Sequence, residues 1–387
     1  MPDGRDALAV KVVSRIAEVP AAEWDACAGD NPFVSHAFLG ALEDSGSATA
    51  ETGWLPQHLV LPNPKGGLLG CAPLYLKNHS YGEYVFDWNW ADAYERAGGR
   101  YYPKLQCSVP FTPATGPRLL VNPTAERAEV EAGLVAAMLE LTRRHQASSL
   151  HITFPPEAQY ERLGDFGLLQ RLGVQYHWQN HGYADFDAFL AALASRKRKA
   201  IKKERRKVAE SGVNLRALSG GEIAPHHWDA FFEFYMATAD RKWGQPYLTR
   251  EFFHLLGERL ADKVVLMMAD YAGEPVAGAL NLKSGDTLFG RNWGSLGRFR
   301  FLHFETCYYQ AIDYAIAHGL KYVEAGAQGE HKIQRGYLPR PTYSAHWIAD
   351  PGFSQAVEEF LTRERRAQER EINALADYSP FKESCLE

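Results

Sequence analysis

One plan is written twice along this chain. Gln57 to Leu61, a turn at Asn63-Pro64-Lys65-Gly66-Gly67 and the apolar run Leu68 to Leu76 read as a hairpin. Lys263 to Tyr271, the turn Ala272-Gly273-Glu274-Pro275 and Val276 to Leu282 read as another. Leu74-Tyr75-Leu76-Lys77 matches Leu280-Asn281-Leu282-Lys283. Each hairpin then leads to a run ending in Asn-Trp, Asn89-Trp90 and Asn292-Trp293, expected to close a third strand. An apolar-periodic helix follows in each half (Glu129 to His145, Phe304 to His318), then a short strand (Leu150 to Phe154, Lys321 to Ala325). Four elements recurring in order predict a duplication, and hence two tandem α/β domains with mixed sheets. A length of 387 residues suits two domains.

Around the repeat, Leu8 to Val13 reads as a strand and Pro20 opens a short helix. Asp185 to Ser211 reads as one long helix: Phe186, Phe189, Leu190, Leu193, Ala200, Ile201 and Val208 keep helical spacing, and Gly212 stops it. Its second half carries nine basic residues and one acidic between Ser195 and Lys207, a local +8 in a chain of net charge −5. Ser354 to about Asp377 reads as a charged, solvated helix. The expected divisions are an N-terminal domain at 1–183 with an insertion at 81–117, a basic linking helix at 184–212, a C-terminal domain at 213–350, and a helix and tail at 351–387.

The opening residues lack a basic stretch followed by an apolar one, and no run of about 18 apolar residues occurs, so neither a secretory leader nor a membrane span is expected. Cys27, Cys71, Cys107, Cys307 and Cys385 are scattered, odd in number and free of CxxC spacing. Reduced thiols in a cytoplasmic protein fit that usage.

Two hairpin-and-helix units bracketing the stretch Arg196-Lys197-Arg198-Lys199-Ala200-Ile201-Lys202-Lys203, which closes at Glu210-Ser211-Gly212-Val213, resemble the Fem-type branch of the GNAT acyltransferase superfamily. Glu324-Ala325-Gly326-Ala327-Gln328-Gly329-Glu330-His331-Lys332-Ile333-Gln334-Arg335-Gly336-Tyr337 resembles that branch's strand, glycine loop and Lys-x-x-x-Gly-aromatic segment. More narrowly, the chain is similar to bacterial peptidoglycan-biosynthesis-like, predicted N-acyltransferases. The resemblance spans residues 8 to 350. It implies direct transfer of an acyl group from acyl-CoA or aminoacyl-tRNA to an amine of a small molecule or cell-wall-like precursor, without a metal and without a covalent enzyme intermediate. It also implies that a backbone N–H where parallel strands splay polarises the acyl carbonyl. The family's pyrophosphate signature is a tight GxG or GxA turn. Here the equivalent position reads Arg291-Asn292-Trp293-Gly294-Ser295-Leu296-Gly297-Arg298-Phe299-Arg300, so coenzyme A and aminoacyl-tRNA both stay open as donors. Arg291, Gly294, Gly297, Arg298, Arg300 and His303, joined by Arg335, are the expected donor-binding residues.

Acyl transfer to an amine needs a proton acceptor and a proton for the leaving group. Strand alternation puts Glu324 with Tyr322 on one face, at the carboxyl end where open α/β sheets bind ligands. Glu324 is therefore the candidate base or amine anchor, against a structural carboxylate capping the glycine loop. Lys332 is expected to neutralise charge at the centre, against a solvated turn; Tyr337 to donate a proton, against plain packing.

The 81–117 insertion is dense in aromatics with polar residues threaded between, a pattern suited to sugars, ring systems or acyl chains. Asp87, Trp88, Asn89, Trp90 and Tyr94 are its candidate substrate contacts, with Arg241, Trp243, Asn292 and Trp293 in the second half. A rigid wall is the alternative. The basic helix at 196–207 reads as a solvated face, as a site for tRNA or another polyanion, or as a site for a phosphate-rich cofactor or the anionic lipid headgroups of a membrane surface in peripheral contact. His177 and His181 share HxxxH spacing on an expected strand, where one metal cannot meet both rings. A non-catalytic glycan-, peptide- or RNA-binding protein on the same scaffold is the rival to an enzyme.

Overall fold

The computed structural model describes residues 9–241, 246–326 and 329–382. It resolves the chain into two units, one built from residues 1–173 and 342–367, the other from 174–341 and 368–387.

The first unit opens with β1 (Lys11–Val13), α1 (Ala21–Ala28) following Pro20, and α2 (His36–Asp44), capped by the Ser35 hydroxyl accepting from the Phe38 N–H. Its hairpin is longer than expected, and each arm is broken. β2 (Trp54–Pro56) and β3 (His58–Pro62) form one arm, β4 (Leu68–Ala72) and β5 (Leu74–Lys77) the other. Pro73 has no N–H with which to continue the ladder. β3 and β4 therefore lie in a sheet of order β1-β3-β4-β7, whereas β2 and β5 pair in a second sheet.

Asn89-Trp90 does not end a strand. It lies in α3 (Trp88–Arg96), and the third strand is β6 (Lys104–Cys107), antiparallel to β5 with Lys77 opposite Lys104. β7 (Leu120–Val121), α4 (Arg127–Arg144) and β8 (Ser149–Thr153) follow, and β8 runs parallel to β6. Val130, Leu134, Met138 and Leu141 of α4 pack on Leu74, Leu105, Leu150 and Ile152 as the unit's core. Behind it comes α5 (Glu157–Asp165). The other edge of β8 pairs antiparallel with residues 344–348.

The second unit takes over inside β9 (Leu169–Gln179). The expected long helix is two helices, α6 (Phe186–Ala192) and α7 (Ser195–Ala209). The chain turns at Leu193, whose side chain is fully buried and which bridges to Phe381, while the Ala194 N–H donates to the Pro380 carbonyl. Neither helix is a linker: Phe189, Leu190, Leu193 and Ile201 belong to this unit's core. β10 (Val213–Ser219), α8 (Pro225–Arg241) and α9 (Arg250–Leu260) lead to the hairpin β11 (Val264–Tyr271) and β12 (Glu274–Ser284), and then to β13 (Thr287–Ser295). The expected helix at 304–318 is interrupted: α10 (Leu302–Phe304) and α11 (Gln310–Ala317) flank a π-helical turn at Glu305–Tyr309. β14 (Tyr322–Glu324) returns parallel to β13, and β9 pairs antiparallel on its far edge. After a 3₁₀ turn at Glu330–Arg335, β15 (Leu338–Ile348) carries the chain back to the first unit.

Hairpin, third strand, helix and parallel strand thus occur in that order in both units. The last strand of each is supplied by the other half of the sequence, so the divisions expected at 183 and 350 fall instead inside β9 and β15. α12 (Pro351–Ala376) is likewise divided, at Ala367.

Candidate functional site

The second unit opens where its two parallel strands part. The last parallel pair is Phe289 with Glu324. Beyond it β14 ends, while β13 runs on to Ser295, bonded to β12 on one edge and to no strand on the other among the described residues. A register shift between Ala279 and Asn281 puts Arg291 and Asn292 in a bulge opposite β12. Bulges re-aim backbone groups, and here Gly290 to Asn292, all half-buried, lie just past the last parallel pair. At the end of β13 lies a pocket of about 430 Å³, lined by Trp293, Gly297, Arg298, Phe299, Arg300 and His303. Arg298 and Arg300 are exposed at its rim. Two guanidinium groups and a glycine turn fit a phosphate-bearing carrier.

The donor residues expected from sequence divide. Trp293, Gly297, Arg298, Arg300 and His303 meet in that pocket, and His303 stacks edge-on against Trp293 at 5.3 Å. Trp293 was expected on the acceptor side and sits with the donor set instead. Gly294 serves packing: a Cβ there would meet the Phe234 carbonyl oxygen of α8 at 2.1 Å. Arg291 and Asn292 are half-buried on β13 outside the pocket lining. Arg335 is held in place by Glu204 of α7, at 2.9 and 3.0 Å, and covers the Phe304 ring at 3.5 Å. The pair lies outside the pocket lining.

Of the three chemical candidates, Glu324 is at the opening. It is the last residue of β14, with a side chain 11% exposed, opposite His177 of β9, whose Nε2 lies 3.9 Å from Oε1. Burial, with the positive charges of Arg340 and Lys332, pushes His177 down to about 3, so the imidazole is neutral. Lys332 is buried, and its amine donates to the Gly326 carbonyl at 2.9 Å, fastening the first residue of the glycine loop. Tyr337 is fully buried and donates to the Tyr308 carbonyl at 3.0 Å. Its proton is committed, and burial raises its pKa well above the usual phenol value. His177 is the neighbour that sequence reasoning missed; only its register opposite Glu324 marks it.

In the first unit the corresponding end is closed. Arg118, 1% exposed, donates from Nε to the Thr153 carbonyl at 2.8 Å and from its other nitrogens to the carbonyls of Ala114 and Gly116, each at 2.8 Å. The Gly116 N–H adds a bond to the Phe154 carbonyl, 3.0 Å. Residues 114–118 thereby occupy the carboxyl end of β8.

Charge gathers at the opposite end of β6. Lys104 donates to Glu83 at 2.7 Å, to Ser80 at 2.8 Å and to Asp87, while Lys77 lies 3.8 Å from Glu83 and 3.4 Å above the Trp54 ring. All four charged side chains are at most 2% exposed. Burial alone would push Lys104 down, but Glu83 and Asp87 hold it above the usual value. Burial wins at Lys77, which falls to about 6, and at Glu83, which rises to about 7. Burial also acts to raise Asp87, but Lys104 overrides it and keeps the carboxylate ionised. The network continues through Tyr101 and His151 to His346, with the two imidazoles 2.7 Å apart.

The acceptor contacts expected in the insertion are accordingly corrected. Asp87 is a buried member of this network; Trp90 is buried against His346; Tyr94 stacks on Phe353 at 4.5 Å. Trp88 and Asn89 alone face solvent. The Arg241 side chain and Trp243 lie outside the described residues.

Much of the basic helix is engaged within its own unit: Arg205 with Glu305 and Asp313, Lys202 with Asp187, Lys207 with Glu210 and Lys197 with Gln334. No group of three or more His, Cys, Asp or Glu able to hold a metal occurs among the described residues, and no helix there is long and apolar enough to cross a membrane.

A family model described as peptidoglycan biosynthesis/recognition, FemAB-like, matches residues 15–383. The crystal structure of FemX is similar over 80% of this chain and 92% of its own, at 13% identity and a TM-score of 0.50. The C-terminal domain of a putative lysylphosphatidylglycerol synthetase from Agrobacterium fabrum covers 90% of this chain and 96% of its own, at 10% identity and 0.54. At such identities the likeness establishes the fold. No curated protein sequence matches.

Proposed function

Since the chain belongs to the FemAB-like family, we propose that it transfers an acyl or aminoacyl group from coenzyme A or a tRNA to an amine of a small molecule or cell-wall-like precursor, in the cytoplasm, with the reaction centre in the second unit. The observation that carries this reading is the parting of β13 and β14 after Phe289 and Glu324, with a pocket bearing two arginines at the end of β13. We also take the two units as diverged copies of one ancestral unit.

In this reading Arg298 and Arg300 hold carrier phosphates, and the backbone N–H groups of the bulged stretch of β13 polarise the acyl carbonyl. The amine attacks the carbonyl carbon; a C–N bond forms, and the C–S bond of a thioester or the C–O bond of an aminoacyl ester breaks. Glu324 takes the proton that the amine loses, and passing that proton on to the leaving sulfur or oxygen lets it depart as a neutral thiol or hydroxyl and returns Glu324 to the carboxylate. The neutral His177 beside Glu324 positions it without competing as a cation. Lys332 keeps Gly326 in place and so sets the exit of the chain from β14.

A panel of acyl-CoA and charged tRNA, tested for turnover on small amines, checks this directly. Turnover that Glu324→Gln removes while donor binding persists is the expected result, and no binding of any donor overturns the proposal. Salt separates the donors, because tRNA binding weakens steeply with ionic strength and coenzyme A binding much less.

A further inference from the structure

The loop between β5 and α3 presents aromatic rings to solvent above a buried, hydrogen-bonded base. Tyr81, Phe86 and Trp88 are 54%, 55% and 38% exposed, and Tyr81 meets Trp88 edge-to-face at 4.8 Å. Beneath them Lys77 donates to the Tyr81 carbonyl at 3.1 Å, Lys104 holds Ser80, Glu83 and Asp87, and Arg171 donates to the Phe86 carbonyl at 2.8 Å. Gly82 completes the bend at φ +80°, where a Cβ would lie 2.5 Å from the Phe111 ring. Burying two lysines and two carboxylates is costly, and apolar residues of similar volume commonly hold a loop as well. Here Lys77 and Arg171 are bonded to the backbone carbonyls of the loop that carries the exposed rings.

We propose that this platform binds a neutral or N-acetylated sugar of a glycan, with the faces of Trp88 and Tyr81 against the pyranose C–H groups. Hydroxyls at the edge of such a ring need polar partners, and the exposed Asn89 adjoins Trp88, with Asp92 one turn along α3. Asp92 is paired with Arg96, so the rim is close to neutral and offers an anionic ligand nothing. Size argues against a protein partner. Three rings at these exposures offer roughly 300 Å², against the ~800 Å² that each side of a stable protein interface buries. A loop so bonded lowers the ordering cost that limits weak saccharide binding. This inference does not rest on acyl transfer, because none of its residues lies in the second unit.

Calorimetric titration of the full chain with chitotetraose and, separately, with maltotetraose tests it. The expected result is saturable binding of at least one, weakened tenfold or more in Trp88→Ala and in Tyr81→Ala, restored to within about threefold in Trp88→Phe, and unchanged in Tyr378→Ala, an exposed aromatic elsewhere. Unchanged melting temperatures show that these surface variants stay folded. Absence of binding to both sugars, binding that Trp88→Ala leaves intact, or self-association that Trp88→Ala abolishes overturns the proposal. Coenzyme A titrated into the unaltered chain and the same variants separates the two readings: no coenzyme A binding by any of them counts against coenzyme A as donor and leaves the platform untouched, whereas coenzyme A binding lost only in Trp88→Ala or Tyr81→Ala puts an anionic ligand on the platform and overturns the sugar assignment.

Discussion

The two units use the same strand order to opposite ends. In the second, β13 and β14 part beside a carboxylate and a neutral imidazole, and two arginines rim a pocket at the end of β13. In the first, β6 and β8 also run parallel, but Arg118 and residues 114–118 are bonded across the carboxyl end of β8, and the charges are drawn to the other end of β6 as a sealed network. The difference teaches that parallel strands leave an opening only where nothing fills it, and that a dense polar cluster can be sealed wholly from solvent. Lys104 is wholly buried, whereas the Glu324 side chain keeps 11% exposure, and the reaction proposed above uses Glu324.

That contrast breaks if unit-two variants unfold the protein or unit-one variants abolish donor binding. The largest effect is expected at Glu324→Gln, a loss of about 10²- to 10⁴-fold in kcat with donor affinity retained, the range for removing a general base. Single-turnover rates check it. Next, Lys104→Met should cost about 3–5 kcal/mol in denaturant unfolding, because Asp87, which Lys104 keeps ionised, is left as an uncompensated buried carboxylate; donor binding should be unaffected. Arg298→Ala with Arg300→Ala should weaken donor binding tenfold or more without moving the unfolding midpoint, since both side chains sit exposed at the pocket rim.

The smallest effect is a slope with pH. Burial pushes His151 down to about 3, against an ordinary value near 6.5, so on unfolding it takes up a proton anywhere between the two. Stability is then present above about pH 6.5 and is lost as pH falls toward 3, by about 1.4 kcal/mol per pH unit inside that window. His346, fully buried and also depressed, acts in the same direction. Urea midpoints at pH 5 and 7 should converge in His151→Asn; an unchanged slope would assign the acid sensitivity elsewhere.

Much of this fold was legible where one local signal sufficed. The Ala272-Gly273 turn, the periodicity of α4 and the alternation that turned Glu324 away from Val323 all held, because each is fixed within a few residues. Pro73 was a visible break whose consequence, a change of sheet, was not drawn. Other features were set from far away. Leu193 and Ala194 break a continuous helical pattern without Gly or Pro, because Phe381 and Pro380 hold them. Asn89-Trp90 became helical above Asp87, which Lys104 buries. Arg335 looked free for a phosphate until Glu204 of α7 claimed it. The site was legible as a segment, 291–303 with Glu324, and hidden in its partners: His177 reaches Glu324 only through a strand pairing that joins the two halves of the sequence.

Hydrogen–deuterium exchange with acetyl-CoA, and separately with a charged tRNA, tests the central claim most directly. One of the two donors should protect residues 290–303 and leave 106–118 unchanged. Protection at 106–118, or at neither segment with either donor, would contradict the assignment of the reaction centre to the second unit.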